Sequence, residues 1–545
     1  MFQHSRHRII GATLCVYLLA AATISMGAEP VQVTVDAKQV IGNNEPFWAN
    51  MVFHPTEFLD GAWGEDLVAL LAETGAAQRY IRLYNQPEDA AVVGDDGAVS
   101  YRWDHFDRRV DLLLRHGIRP VVAFFSMPAA IADNPKHGRN RTFLNNKRIN
   151  TGRPADYAQW QAMCVDFTKH VLERYGEKEV LAWYFTCWNE PNLSGFWHKA
   201  DLTEHKKLYD HFAAAVKGVN PKIRIGGPSY SSYNTYKKPD TWKGFLEHIT
   251  HGTNHATGKQ GTPIDYITVH TYGGHSGQGG PMFPYPSVDY MLAQQRKLVE
   301  MRDEYPELRD VPIMIAEWGV TSGGGTTMKK RPMAEVRNTQ FSASFLTTMV
   351  AKQLAWRRAE NPHLGDMFLC ISGYEVPQQF DFEGKRTVHT LNGFHKPLLN
   401  GYKLLAKLGG EWVDAHVESD DDEVTILAAR DGADHLTVMI TRFVPEQWRN
   451  EGEDRAVRLS LSTGWSKPAD AEVTHWRIDE HHSNAYSVFC EMGSPTQPTP
   501  EQIQQIRSRM GLETVESLSR RSVGDTFEMT LDLPPNAVSL IEIKK

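Results

Sequence analysis

Cysteine is scarce in this sequence: five residues in 545, with no CxxC pair and no Cys/His cluster at metal-binding spacing. That excludes a disulfide-stapled small domain and a zinc ribbon. Cys164, Cys187, Cys370 and Cys490 are far apart, and Cys187 and Cys370 fall inside apolar, strand-like runs. Buried free thiols are therefore expected, with disulfides as the alternative. Excess positive charge is also missing. The formal net charge of -8 argues against a general nucleic-acid binder. No glycine-rich phosphate turn follows an early strand. Gly323-Gly324-Gly325 lacks the Walker pattern and reads as loop flexibility. The sequence thus implies no cofactor and no metal. It shows no internal repeat and no long low-complexity linker, and nothing in it sets an oligomeric state.

Long hydrophobic runs are missing too, except at the N-terminus. Arg6 and Arg8 precede a mostly apolar stretch over residues 9–24, and Ser25-Met26-Gly27-Ala28 stands before Glu29-Pro30. This is the pattern of a signal peptide over residues 1–28, so a secreted or periplasmic protein is expected, free of the membrane after cleavage. An uncleaved anchor is the alternative, disfavoured because the run is short for a span. What the sequence has in quantity is aromatic: fourteen Trp and nineteen Tyr. Such rings pack cores, and they also stack on sugars.

The chain is too long for one small core. Apolar runs at 47–53, 79–84, 119–125, 181–188, 222–227, 265–270, 311–318 and 366–371 alternate with amphipathic helical segments such as 106–117, 157–176 and 205–219. Eight strands with intervening helices predict a (β/α)8 barrel over residues 29–408. Beyond it, 423–430, 435–443, 456–462, 471–478, 527–533 and 537–543 alternate apolar and polar residues without crossover helices. That pattern predicts a β-sandwich over 409–545, interrupted by a short helix at 500–511.

In such a barrel the chemistry sits at the C-terminal ends of the strands. Glu190, in Trp188-Asn189-Glu190-Pro191, directly follows the fourth strand, and Glu317 ends the seventh. His270 ends the sixth, with Tyr272 just beyond, and Arg82 lies near the end of the second. Two carboxyl groups on facing strands are what hydrolysis of a glycosidic bond requires: one protonates the leaving oxygen while the other attacks the anomeric carbon or activates water. The competing reading of Asn-Glu-Pro is a capped turn with no chemistry. A second strand-terminal glutamate three strands later argues against it. An isolated His270 would read as a satisfied core histidine.

The stretches "WYFTCWNEPNLSGFW" (183–197) and "IAEWG" (315–319) resemble the acid/base and nucleophile motifs of clan A glycoside hydrolases, specifically family 39, which holds β-xylosidases and α-L-iduronidases. Residues 101–128, 219–230, 391–409 and 475–502 resemble further segments of that family, so the resemblance runs from about residue 45 to the end. It implies a retaining mechanism in which Glu190 is acid and then base, and Glu317 is the nucleophile. Asn189 would bond the sugar 2-hydroxyl, and His270 would border the nucleophile. Arg82, Tyr84, Tyr272, Trp318 and Tyr374 join the candidate sugar contacts.

The sequence departs from the family where sugar should bind. Tyr84 stands where the family usually has a histidine. Tyr272 stands where iduronidases have a lysine, and the eighth strand lacks the tryptophan and aspartate of the xylosidases. Catalysis is implied, but the sugar is not. Lys136, Arg139, Arg141, Lys147, Arg148 and Arg153 crowd one βα loop, and Lys329, Lys330 and Arg331 another. An anionic glycan drawn by that charge is one expectation, and an ordinary solvated loop is the other. Three rival classes remain: an inactive carbohydrate-binding protein on the same fold, a metal-dependent barrel hydrolase, and a structural scaffold. Loss of either glutamate would favour the first, and both are present. No ligand spacing supports the second, and the third leaves the strand-end carboxylates unexplained.

Overall fold

The computed structural model describes residues 29–54, 56–84, 87, 90–140, 148–231, 239–274, 286–372, 379–418, 421–445, 452–516 and 518–545. Residues 1–28, where a signal peptide is expected, Tyr374 and residues 141–147 of the basic loop lie outside the described residues.

Eight parallel strands close into a barrel: β1 (Asn50–His54), β2 (Tyr80–Leu83), β3 (Arg119–Phe124), β4 (Tyr184–Cys187), β5 (Ile225–Ser231), β6 (Tyr266–Tyr272), β7 (Ile313–Gly319) and β8 (Leu364–Ser372). Each pairs with its sequence neighbour, and β8 returns to β1. Each is followed by a helix: α1 (Ala62–Glu73), α2 (Asp104–Arg115), α3 (Tyr157–Tyr175), α4 (Leu202–Val219), α5 (Pro239–His251), α6 (Val288–Asp303), α7 (Phe341–Glu360) and α8 (Pro397–Ala406). The strands read as unbroken apolar runs because helices cover one face and the barrel interior the other. Along β6 and β7 every residue is buried.

The second sheet has ten strands. It folds over itself, so that Val438 and Ile541 share a core with Leu459 and Met529 from its other half. One of its strands comes from the segment expected in the barrel. Val31–Asn43 inserts between Glu411–Val417, antiparallel, and Arg455–Ser462, parallel. The reason is non-local: Val31, Val33 and Val35 alternate with half-exposed residues and bury one face against this core. Glu411–Val417 and Ser519–Val523 are further strands that the sequence pattern did not show.

Helix α7 ties the two parts together. It is buried nearly all round, with Phe341 and Phe345 packed edge-on against Phe443 at 5.0 and 5.7 Å and Thr347 bonded to Thr441 at 2.8 Å. Cys164, Cys187 and Cys370 are buried thiols in no disulfide, as expected, whereas Cys490, also in none, is exposed. It falls in the last turn of the short helix Ala485–Glu491.

Candidate active site

Glu190 is placed by a strained turn. Trp188 and Glu190 take positive φ values of 66° and 46°, which costs on the order of 1–3 kcal/mol per residue for side chains other than glycine. Tertiary bonds hold the strain in place. The Glu190 amide donates to the Ser229 carbonyl of β5 at 2.9 Å, and Asn192 exchanges two 3.0 Å bonds with the backbone of Ser231. The strand has already ended at Cys187, where Trp188 takes its positive φ, and Pro191 cannot resume the ladder. The flanking tryptophans are fully buried. Trp188 and Trp197 pack edge to face at 4.8 Å, and their indole N–H groups donate to the backbone carbonyls of Phe196 and Asp201. They brace the turn.

Glu317 is placed by a bulge. Between β6 and β7 the register steps from Val269 opposite Ile315 to His270 opposite Glu317, so Ala316 has no partner. The extra residue brings Glu317 level with His270 and leaves the Ala316 carbonyl able to accept from Arg82 at 3.4 Å.

The two carboxylates and His270 converge. One oxygen of each glutamate and one His270 ring nitrogen all lie within 4.8 Å of one another. His270 Nδ1 is 2.9 Å from Glu190 Oε1 and 3.5 Å from Glu317 Oε2. Beneath them lies Arg82, fully buried. Its Nη1 reaches the Tyr84 hydroxyl at 2.7 Å, His270 Nε2 at 3.2 Å and Glu317 Oε1 at 3.4 Å. Its Nη2 reaches Ser229 Oγ at 3.3 Å and Asn189 Oδ1 at 3.4 Å. One guanidinium thus links the ends of β2, β4, β5, β6 and β7. The fork suits this task because its donors diverge in one rigid plane.

Glu317 is gripped from both sides. The Tyr272 hydroxyl donates to Oε2 at 2.6 Å, and the Tyr84 hydroxyl donates to Oε1. The two residues that break the family pattern are therefore partners of the carboxylate. Burial pushes Glu317 above the usual glutamate value, while Arg82, then Arg386, then a bond to Cys370 pull it back. Burial pushes His270 down to about 4 despite its bond to Glu190, so the ring is neutral at ordinary pH. Arginine only donates, so the Arg82 contact makes Nε2 the acceptor and leaves the proton on Nδ1, facing Glu190.

Two site groups escaped the sequence reading. Cys370 lies two residues before the end of β8, and its sulfur accepts from Arg386 Nη2 at 3.2 Å. Arg386 comes from the chain after β8, and its guanidinium lies 4.9 Å from the centre of the Tyr272 ring. Neither is flagged by strand-end position or by charge pattern. One expected contact is corrected: Trp318 is fully buried and stacks on Phe345 of α7 at 6.4 Å. Side chains alternate along a strand, so with Glu317 facing in, Trp318 faces the helices. In the basic loop, Arg153 pairs with Asp133 at 2.9 Å and Glu204 at 3.3 Å, which neutralises part of the expected positive field.

The sequence profile of glycosyl hydrolases family 39 matches residues 31–519. A beta-xylosidase of Caldicellulosiruptor saccharolyticus is 26% identical over 533 residues, covering 94% of this chain and 98% of that protein. The human alpha-L-iduronidase is 24% identical over 538 residues, covering 92% and 77%. Among solved structures, a monomeric beta-xylosidase from Caulobacter crescentus CB15 superposes with a TM-score of 0.75 at 25% identity, covering 94% of this chain and 99% of that one.

Proposed function

The chain belongs to glycosyl hydrolase family 39 and is a glycosidase, and from this premise we propose a retaining double displacement with Glu317 as nucleophile and Glu190 as acid and then base. The observation that carries the reading is the approach of the two carboxylates to within 4.8 Å, oxygen to oxygen. Retaining enzymes hold the pair at roughly 5–5.5 Å, whereas inverting ones need roughly 6.5–9.5 Å to admit a water.

The division of labour follows from the surroundings. Glu317 must be ionised to attack, and Arg82 and Arg386 favour the anion against the cost of burial. Glu190 must carry a proton. His270 Nδ1–H holds Oε1, so the acidic proton belongs on Oε2, the oxygen left to face the leaving group. Asn189 accepts from Arg82 through Oδ1, which leaves its amide NH2 to meet a sugar hydroxyl.

The pH dependence has a definite sign. Activity rises as pH climbs through the Glu317 pKa, because the anion is the reactive form. Arg386→Gln removes a cation that lowers this pKa, so the acid limb of kcat/KM is expected to move to higher pH. A pH–rate profile on an activated aryl glycoside checks this. An acid limb that stays put would detach Arg386 from the nucleophile.

We further propose an anionic, uronate-type glycan as substrate, with a neutral β-xyloside as the second reading. Arg386 supports the first, as a guanidinium beside the nucleophile's tyrosine. The pairing of Arg153 with Asp133 and Glu204 supports the second. Aryl uronides and aryl xylosides compared at the pH plateau decide between them. Uronide turnover that falls with ionic strength, and that Arg386→Gln reduces more than xyloside turnover, supports the anionic substrate. A salt-independent preference for xylosides overturns it and leaves the mechanism standing. Binding without turnover of any glycoside would instead support the inactive, carbohydrate-binding alternative.

A further inference from the structure

Away from the barrel mouth, three potential metal ligands from separate elements meet on the helical layer. Asp210 projects from the middle of α4 and is fully buried. His248 belongs to the last turn of α5. His255 is exposed and stands in the connection between α5 and β6. A carboxylate oxygen and one ring nitrogen from each histidine lie within 4.8 Å of one another.

The local geometry favours a cation. His248 Nε2 is equidistant, 3.0 Å, from both Asp210 oxygens. Two ligands at about 2.0–2.1 Å from one tetrahedral zinc ion are about 3.3–3.4 Å apart, so this hydrogen-bonded pair needs to open by only a few tenths of an ångström to admit one. The carboxylate is oriented by other groups: Thr262 Oγ donates to Oδ1 at 2.6 Å and the His255 amide to Oδ2 at 2.8 Å. Such outer hydrogen bonds accompany metal-bound carboxylates. The segment bearing His255 is held in place. Asn254 is buried, accepts from the amides of Ala256 and Thr257, and donates to Thr262. The His255 ring lies nearly parallel to that of His248, with centres 5.7 Å apart, on the solvent side where an ion would enter.

We propose that Asp210, His248 and His255 form a binding site for a divalent transition metal of the zinc class, with water completing the shell. Two imidazoles and one carboxylate suit that class rather than calcium or magnesium. The ion replaces the His248 Nε2 proton and cross-links α4, α5 and the segment leading into β6, the strand that carries His270 and Tyr272. The sequence hides the site, because His248 and His255 are seven residues apart and Asp210 lies on another helix. The proposal stands independently of the double displacement.

The test is a zinc titration of the full-length, chelator-stripped protein, read by competition with a chromophoric chelator and by thermal unfolding. Wild type is expected to bind one Zn2+ per chain and to melt at higher temperature with zinc than without. His255→Ala removes an exposed ring, so it should melt like the zinc-free wild type in chelator. It should weaken zinc binding by roughly 10–100-fold or more. Glu317→Gln alters the other cluster of metal-capable groups, that of Glu190, His270 and Glu317, and should bind zinc as wild type does. Absence of stoichiometric binding overturns the proposal. So does binding that survives His255→Ala, or binding lost in Glu317→Gln, which would put the metal at the catalytic carboxylates.

Discussion

Glu317→Ala is expected to lower kcat/KM by roughly 10^4–10^6-fold, the scale seen when an enzyme's covalent nucleophile is removed. The arrangement around this side chain explains why no neighbour replaces it. Tyr84 and Tyr272 donate to its two oxygens, and burial raises the Tyr272 phenol well above its usual value, so that hydroxyl stays a donor and not an anion. Glu190 is tethered to His270 on the opposite side. The variant also leaves the Arg82 guanidinium buried without its ion-pair partner. Breaking a buried pair in this way costs roughly 3–5 kcal/mol of stability. Glu317→Gln keeps the hydrogen-bonding shape and should melt closer to wild type while being as inactive. The alanine variant also opens a small space at the anomeric face. Azide should restore turnover of an activated glycoside there and yield a glycosyl azide of inverted configuration. Wild-type-like hydrolysis by either variant refutes the assignment.

Glu190→Ala is expected to separate substrates by leaving group. Glycosides whose leaving oxygen needs a proton should lose roughly 10^2–10^4 in kcat/KM, the usual contribution of a positioned acid. Dinitrophenyl glycosides, whose leaving group departs as a stable anion, should keep kcat/KM near wild type. Their kcat should still fall, because the same residue activates water in the second step. The intermediate then accumulates, and a burst of phenolate should precede slow steady-state release. Equal losses on good and poor leaving groups, without a burst, would show that Glu190 does not transfer the proton. The His270 tether makes the experiment clean: loss of the carboxylate removes the acceptor of Nδ1–H, while Arg82 still holds Nε2.

Much of the architecture could be read before any coordinates. The eight strand segments expected between residues 47 and 371 coincide with β1–β8, with ends shifted by a few residues. This follows from burial on both faces, which makes each strand a short apolar run bounded by turn residues. The Val31–Asn43 strand alternates just as plainly but was expected within the barrel. Its partners are Glu411–Val417 and Arg455–Ser462, several hundred residues away, and no local pattern records a partner. Trp318 shows the same limit on a smaller scale. Its motif suggested a sugar contact, but alternation along β7 turns it toward Phe345 once Glu317 faces inward.

Strand period and strand-end position are local properties of a chain, so the barrel, the sheet-rich region after it and the strand-end positions of Glu190 and Glu317 were legible in the sequence. Tertiary structure alone decided what surrounds those carboxylates. The bulge at Ala316 brings Glu317 level with His270, and closure of the barrel places Arg82 under five strand ends. The same closure makes Tyr84 and Tyr272 partners of Glu317, and the chain after β8 delivers Arg386 to Tyr272. These features depend on register between strands distant in sequence and on the path of a returning loop. Register is set by the packing of the whole core, which no single segment encodes.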